Sequence, residues 1–196
     1  MGKGIPVKLE INGSEVLKNE WKEDIPTKNL EHFVIIIGNR KLEDLKEVYK
    51  AAHFFMLASQ SEGWPKAVAE AMFFGCIPIV TSVSCVPWML SPPPDNYRGR
   101  KGEIAPSAPN GGTKKIIITK RGILAPPAPK GEAKINEWVK GIIEKILELI
   151  KDQEKMKRMS LAGQEWSQEY TLERFEEGIK KILHDSHKEE INGEKR

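Results

Sequence analysis

The sequence predicts an α/β protein, a parallel sheet flanked by helices with further helices at its C-terminal end. Short runs of β-branched and aromatic residues alternate with segments whose apolar residues recur at helical spacing, the order that builds a doubly wound parallel sheet. The last third carries three apolar stripes of helical period. At 196 residues the chain is long enough for one good core or one domain with a helical appendage.

The elements follow in order. Pro6–Ile11 alternates and reads as a strand. Asn12-Gly13-Ser14 is a turn, with Ser14 placed to cap a helix running to about Trp21. Asp24–Leu30 is a loop or a short helical turn. Phe33-Val34-Ile35-Ile36-Ile37 is unbroken and β-branched, the pattern of a strand buried on both faces. Leu42, Leu45, Val48, Tyr49 and Ala52 recur at helical spacing, and His53–Leu57 is a second buried strand. A helix begins at Pro65, suited to the first helical position because it has no N–H to leave unpaired. It ends near Gly75, a natural C-terminal cap. Ile77–Val80 is the next strand, and Lys115–Thr119 and Gly122–Leu124 are two more.

Composition shifts at Ser91. Eight of the 13 prolines fall between Pro92 and Pro129, so residues 91–113 read as an exposed Pro/Gly-rich loop or insertion. From Lys134 to Ile150 one wide apolar stripe predicts a long helix. Met156–Trp166 predicts another, and Leu172–Leu183 a third with Thr171 as its cap. All three stripes read as core packing, and residues 186–196 as a disordered polar tail.

The charge balance excludes some functions. A net charge of +3, evenly interspersed, gives no footprint for nucleic acid. No apolar run has the length of a membrane span and no signal-type segment opens the chain, so a cytoplasmic protein is expected. Cys76 and Cys85 lie among apolar residues and read as free packing thiols rather than a disulfide. His32, His53, His184 and His187 have no metal-ligand spacing.

The chemistry concentrates in Ser61-Glu62-Gly63-Trp64-Pro65-Lys66-Ala67-Val68-Ala69-Glu70, where two carboxylates stand eight residues apart around a helix start. The N–H groups of Lys66, Ala67 and Val68 would emerge without intrahelical partners, an anion site helped by the helix dipole. Carboxylates beside a phosphate site suit a nucleotide sugar. The plain alternatives are a capping Glu62 and a surface Glu70. Trp64 stacks on a ligand or covers the loop, and Lys66 meets phosphate or is simply solvated. Trp88 reads as packing.

These residues carry a family resemblance. The Leu42–Tyr49 helix, the HFFMLASQSEGWPKAVAEAM segment with its E-x7-E spacing, GCIPIVTS and Arg121-Gly122-Ile123-Leu124 come in sequence. The long helix from Lys134 and the Trp166–Phe175 region follow them. Together they resemble the C-terminal, donor-binding half of a GT-B fold glycosyltransferase of the retaining family 4 group. The resemblance implies a Rossmann-like domain made of residues 1–90 and 114–185. Glu62 would contact sugar hydroxyls and count as the catalytic residue, and Glu70 the nucleoside ribose. Gly63, Trp64, Pro65, Lys66 and Ala67 would hold the diphosphate or sugar, and Gly38, Asn39 and Arg40 would lie against the base. It implies hexosyl transfer from a nucleotide-diphosphate sugar with retention, with no metal and no cofactor beyond that donor. A separate acceptor-binding N-terminal half is implied as a partner. The alternative is a non-catalytic domain that binds nucleotide or a partner protein.

Overall fold

A computed structural model describes residues 6–13, 24–91, 113–174 and 176–181. The helix expected over 14–21, most of the 91–113 insertion and the 186–196 tail lie outside these residues. The chain divides into two compact units, residues 1–48 and 49–196.

In the first unit β1 (Leu9–Ile11) pairs in parallel with β2 (Val34–Ile36), Leu9 opposite Val34 and Ile11 opposite Ile36. The short helix α1 (Asp24–Thr27) precedes β2. The expected burial of 33–37 on both faces does not hold, since Phe33 and Ile35 are exposed. Among the described residues β2 has β1 as its one strand partner, so it is not the centre of a sheet.

The second unit holds a four-stranded sheet in the order β3 (Phe54–Leu57), β4 (Ile77–Thr81), β6 (Ile123–Ala125), β5 (Ile117–Ile118). The first three strands are parallel, and β5 runs antiparallel to β6. Helix α2 (Leu42–Ala51), of which the last three residues belong to this unit, leads into β3, α3 (Lys66–Phe73) joins β3 to β4, and α4 (Val86–Leu90) follows β4. Helices α5 (Glu132–Ile150) and α6 (Gln153–Gln168) complete the unit. The fold is therefore the predicted α/β arrangement of parallel strands flanked by helices. The five-residue α4, with Pro87 in its first turn, is an element that periodicity alone did not reveal.

Every residue of β4 is buried, and alternation divides its side chains between two cores. Val80 joins Val68, Met72, Met89, Leu90, Leu124 and Trp166. Ile77 and Ile79 join Ile123, Ile142, Leu149 and Met159. Burying each such side chain contributes about 1.5–3 kcal/mol. A proline inside a central strand normally removes a ladder bond. Pro78 is tolerated because the Ile77 N–H goes to His53 on the β3 side, so position 78 faces the other neighbour. There Gly122 packs so closely that a Cβ would lie 2.4 Å from the Pro78 carbonyl oxygen. Proline and glycine therefore fit each other across the sheet.

Several expectations need correction. Strand β3 is only half-buried, with Met56 on an uncovered face, as befits an edge of the four-stranded sheet. Helix α5 is longer than its inner face needs. Ile142 and Leu149 enter the core, but Ile135, Val139, Ile143 and Leu147 form an exposed row. Residues 172–174 and 176–181 are helical, and the Arg174 N–H reaches Thr171 Oγ1 at 3.4 Å, as the predicted cap requires. Leu172 and Ile179 on that segment are exposed rather than core. Both cysteines are free thiols. Among the described residues no helix is long and apolar enough to cross a membrane.

Candidate functional site at the carboxyl end of the sheet

Parallel strands place their following loops together at one end of the sheet, where ligands of such folds bind. The loops after β3 and β4 are therefore neighbours. In the first, Thr81 Oγ1 donates to the Ser59 carbonyl at 2.6 Å, and Ser59 Oγ donates to Glu62 Oε1 at 2.5 Å. In the second, Ser84 Oγ and Cys85 Sγ both donate to the Gly63 carbonyl at 3.2 Å. Ser84 adopts φ +48°, a conformation L residues rarely take, at the turn that aims these donors. Burial, with the Glu62 charge adding to it, pushes the Cys85 thiol up, so the thiol remains a donor.

The start of α3 differs from expectation in two respects. Pro65 is the N-cap, with ψ 88° keeping it outside the helix, and Lys66 is the first helical residue. Proline has no side-chain acceptor, so the cap is unassisted. The Val68 N–H is spent on the Pro65 carbonyl at 3.0 Å. That leaves the N–H groups of Lys66 and Ala67 without a partner among the described residues. The carbonyl and N–H of a trans peptide point opposite ways. With the Gly63 carbonyl held by Ser84 and Cys85, the Trp64 N–H is turned away from them.

Glu62 is half-buried in the loop, and Glu70 is half-buried on the second turn of α3. Their surroundings differ. Glu62 neighbours Ser59 and Cys85, whereas the Glu70 charge acts on Tyr49, whose hydroxyl is pushed up by burial first and by Glu70 next. No hydrogen bond joins the two carboxylates among the described residues. Lys66 is exposed and Ala67 half-buried. Gly38, Asn39 and Arg40 lie in the first unit, where Gly38 is buried with φ +77° and accepts from the Gly13 N–H at 3.3 Å. Asn39 and Arg40 are exposed.

Trp64 packs in an aromatic cluster with Trp88, Trp166 and Tyr170, at centroid distances of 5.7, 6.2 and 5.9 Å. It nevertheless keeps 42% of its surface exposed. Beneath the cluster Arg121 stacks on Trp166 at 5.6 Å and donates to the Met89 carbonyl at 3.2 Å. Its Nε has no partner among the described residues. Residue-by-residue reading missed Thr81, Ser84 and the links from Trp88, Trp166 and Tyr170. The available signal was topological, because in parallel neighbours residues just past β4 must stand beside those just past β3.

Residues 3–92 match the family model described as Glycosyl transferases group 1. The match covers slightly less than half of the chain. Among solved structures, the chain is similar to sucrose-phosphate synthase from Thermosynechococcus elongatus, with 18% identity, 92% of this chain, 38% of that one and a TM-score of 0.62. It is similar to HepE of Anabaena in complex with UDP and glucose, with 17% identity, 91% and 41% coverage and a TM-score of 0.61. It is also similar to the C-terminal domain of the group 1 family protein LpcC from Francisella tularensis, with 19% identity, 80% and 64% coverage and a TM-score of 0.51. The chain thus spans about two fifths of the first two. The group 1 segment covers both loops of the site and the whole of α3. No curated protein matches the sequence significantly.

Proposed function

We propose that this chain is the donor-binding half of a retaining glycosyltransferase and holds a nucleotide-diphosphate sugar against the loop that follows β3. One observation carries the reading. The Glu62 carboxylate is fixed by Ser59 beside a helix start whose Lys66 and Ala67 N–H groups are unspent. Glu62 accepts hydrogen bonds from hexose hydroxyls, and Glu70 accepts from the ribose. Hydrogen bonds to a charged acceptor are roughly twice as strong as neutral ones. The backbone donors from Gly63 to Ala67 stabilise the diphosphate as it gathers negative charge on leaving. With retention, the donor phosphate takes part in front-face attack by the acceptor, which a separate N-terminal half presents. HepE, in complex with UDP and glucose, shares the fold and makes UDP-glucose the first donor to try.

A second reading is a non-catalytic nucleotide-binding module that uses the same loop. Calorimetry and thermal shift against UDP, GDP, ADP and their sugars test the shared claim. A ligand at 100 times its Kd raises stability by about 2.7 kcal/mol. Glu70→Ala should reduce the shift, and no shift with any nucleotide at millimolar concentration would sink both readings. Transfer on adding an acceptor-binding half separates the two.

A further inference from the structure

We propose that Ser59 is the positioning residue of the Glu62 carboxylate and that Thr81 fixes Ser59, so that the orientation of the sugar-contacting group is set from the buried strand β4. The role in sugar contact rests on the function proposed above, whereas the positioning itself does not.

Glu62 sits on a loop between β3 and α3, with no ladder to hold it. A free glutamate samples many rotamers, and ordering one costs side-chain entropy. The Ser59 hydroxyl meets Glu62 Oε1 at 2.5 Å, the short end of the range for a hydroxyl on a carboxylate. A serine hydroxyl can hold a carboxylate only if its own backbone is held. Ladder bonding cannot supply that, because the β3–β4 pairing ends at Leu57 and Val80.

Beyond that point the β4 backbone turns elsewhere. The Ser82 N–H goes to the Ala125 carbonyl at 2.7 Å, on the β6 side. The Val83 N–H, next in the alternation to face β3, folds back to the Thr81 carbonyl at 2.9 Å. The Thr81 side chain fills the missing rung, its hydroxyl donating to the Ser59 carbonyl at 2.6 Å. Thr81 is 2% exposed and belongs to the fully buried strand, so it is a rigid anchor. Side-chain hydroxyls therefore extend the ladder by two links, Thr81 to Ser59 and Ser59 to Glu62. With Oε1 committed to Ser59, the other carboxylate oxygen remains for a ligand hydroxyl.

The experiment compares Ser59→Ala, Ser59→Thr, Thr81→Ser and Glu62→Ala in the full chain, with two readouts. Amide hydrogen exchange follows residues 61–64, and calorimetry follows UDP-glucose and UDP. Ser59→Ala should speed exchange in the loop about tenfold and weaken UDP-glucose about tenfold while leaving UDP unchanged. Ser59→Thr and Thr81→Ser, which keep the hydroxyls, should leave both at the parent values. In the Glu62→Ala background, Ser59→Ala should cost UDP-glucose nothing more. Unchanged loop exchange in Ser59→Ala overturns the positioning role whether or not any ligand binds. Equal weakening of UDP and UDP-glucose overturns it too, because that is what a merely structural serine would give. Faster loop exchange in a protein whose parent chain binds neither probe leaves the positioning intact and removes the sugar-contact reading.

Discussion

The two ends of β4 are built from similar residues and put them to opposite use. At the amino end, Gly75 closes α3 with its N–H on the Met72 carbonyl at 2.9 Å, and the Cys76 N–H reaches Ala71 at 3.0 Å. This paired closure satisfies the last helix carbonyls. Ser160 Oγ then donates to the Gly75 carbonyl at 2.7 Å, and Cys76 Sγ to the Tyr49 carbonyl at 3.1 Å. At the carboxyl end, serine, threonine and cysteine again donate to carbonyls, but they brace a half-exposed carboxylate beside unspent N–H groups. Hydroxyl and thiol donors finish a core at one end and hold the Glu62 loop at the other. What separates the two is whether polar capacity is left over.

The largest effect that would sharpen this contrast is at Gly75. Its φ is +90°, and an added Cβ would meet Ser160 Oγ at 3.1 Å. Gly75→Val combines left-handed strain in a β-branched residue with loss of the Ser160 bond, about 3 kcal/mol in all. Urea unfolding should show that loss, while the folded fraction keeps the UDP-glucose affinity proposed above. An affinity loss as large as the stability loss would break the division between the two ends. Next is Glu62→Gln at the other end. Removing the charge should leave stability within about 0.5 kcal/mol and weaken UDP-glucose by about 1.5 kcal/mol. Calorimetry beside a melting curve reads both. A fall in Tm with unchanged affinity would make Glu62 a structural residue.

Much of this organisation is legible in the sequence because it is local. Gly75 as terminator, Thr171 as cap and the buried run Ile77–Val80 each follow from residue type and immediate neighbours. Less legible is what depends on distant partners. Ile35 and Met56 look like core residues by pattern, but whether a strand is covered depends on what packs over it. Ile135, Val139, Ile143 and Leu147 share a period with Ile142 and Leu149, and periodicity cannot say how much of the stripe a sheet covers. The site divides the same way. Glu62 and the helix start announce themselves, whereas Thr81 and Ser84 act from 22 and 21 residues away and need the parallel pairing before they have meaning. Pro65 illustrates a finer limit, since its preference for a helix start is plain but the choice between cap and first helical position turns on ψ.

A smaller effect comes from pH and belongs to the amino end. Burial lifts the Cys76 thiol from its ordinary 9.0 to about 11. Between those values the unfolded chain has lost the proton that the folded protein keeps, so rising pH favours unfolding. The contribution is full below pH 9 and is lost as pH climbs toward 11. Cys76→Ser does not titrate and keeps a donor for the Tyr49 carbonyl, so its stability should decline less steeply over that window. Parallel curves for the two proteins would mean that water reaches the thiol.

The smallest effect on stability separates bracing from packing at the carboxyl end. Ser84 takes φ +48° so that its hydroxyl can reach the Gly63 carbonyl at 3.2 Å. Ser84→Gly relieves about 1 kcal/mol of backbone strain. It also forfeits about 1 kcal/mol of hydrogen bond and gives the unfolded chain more freedom. These contributions oppose one another, so the melting temperature should scarcely move. Loop order need not follow, because the Gly63 carbonyl then has Cys85 as its remaining side-chain donor. Amide exchange at Gly63 and Trp64 should therefore quicken several-fold at nearly constant global stability. Ser84→Asn tolerates the same backbone conformation with a different donor, and it should fall between the two. If exchange stays at the parent rate in both variants, the loop after β3 holds itself and the loop after β4 is not its brace.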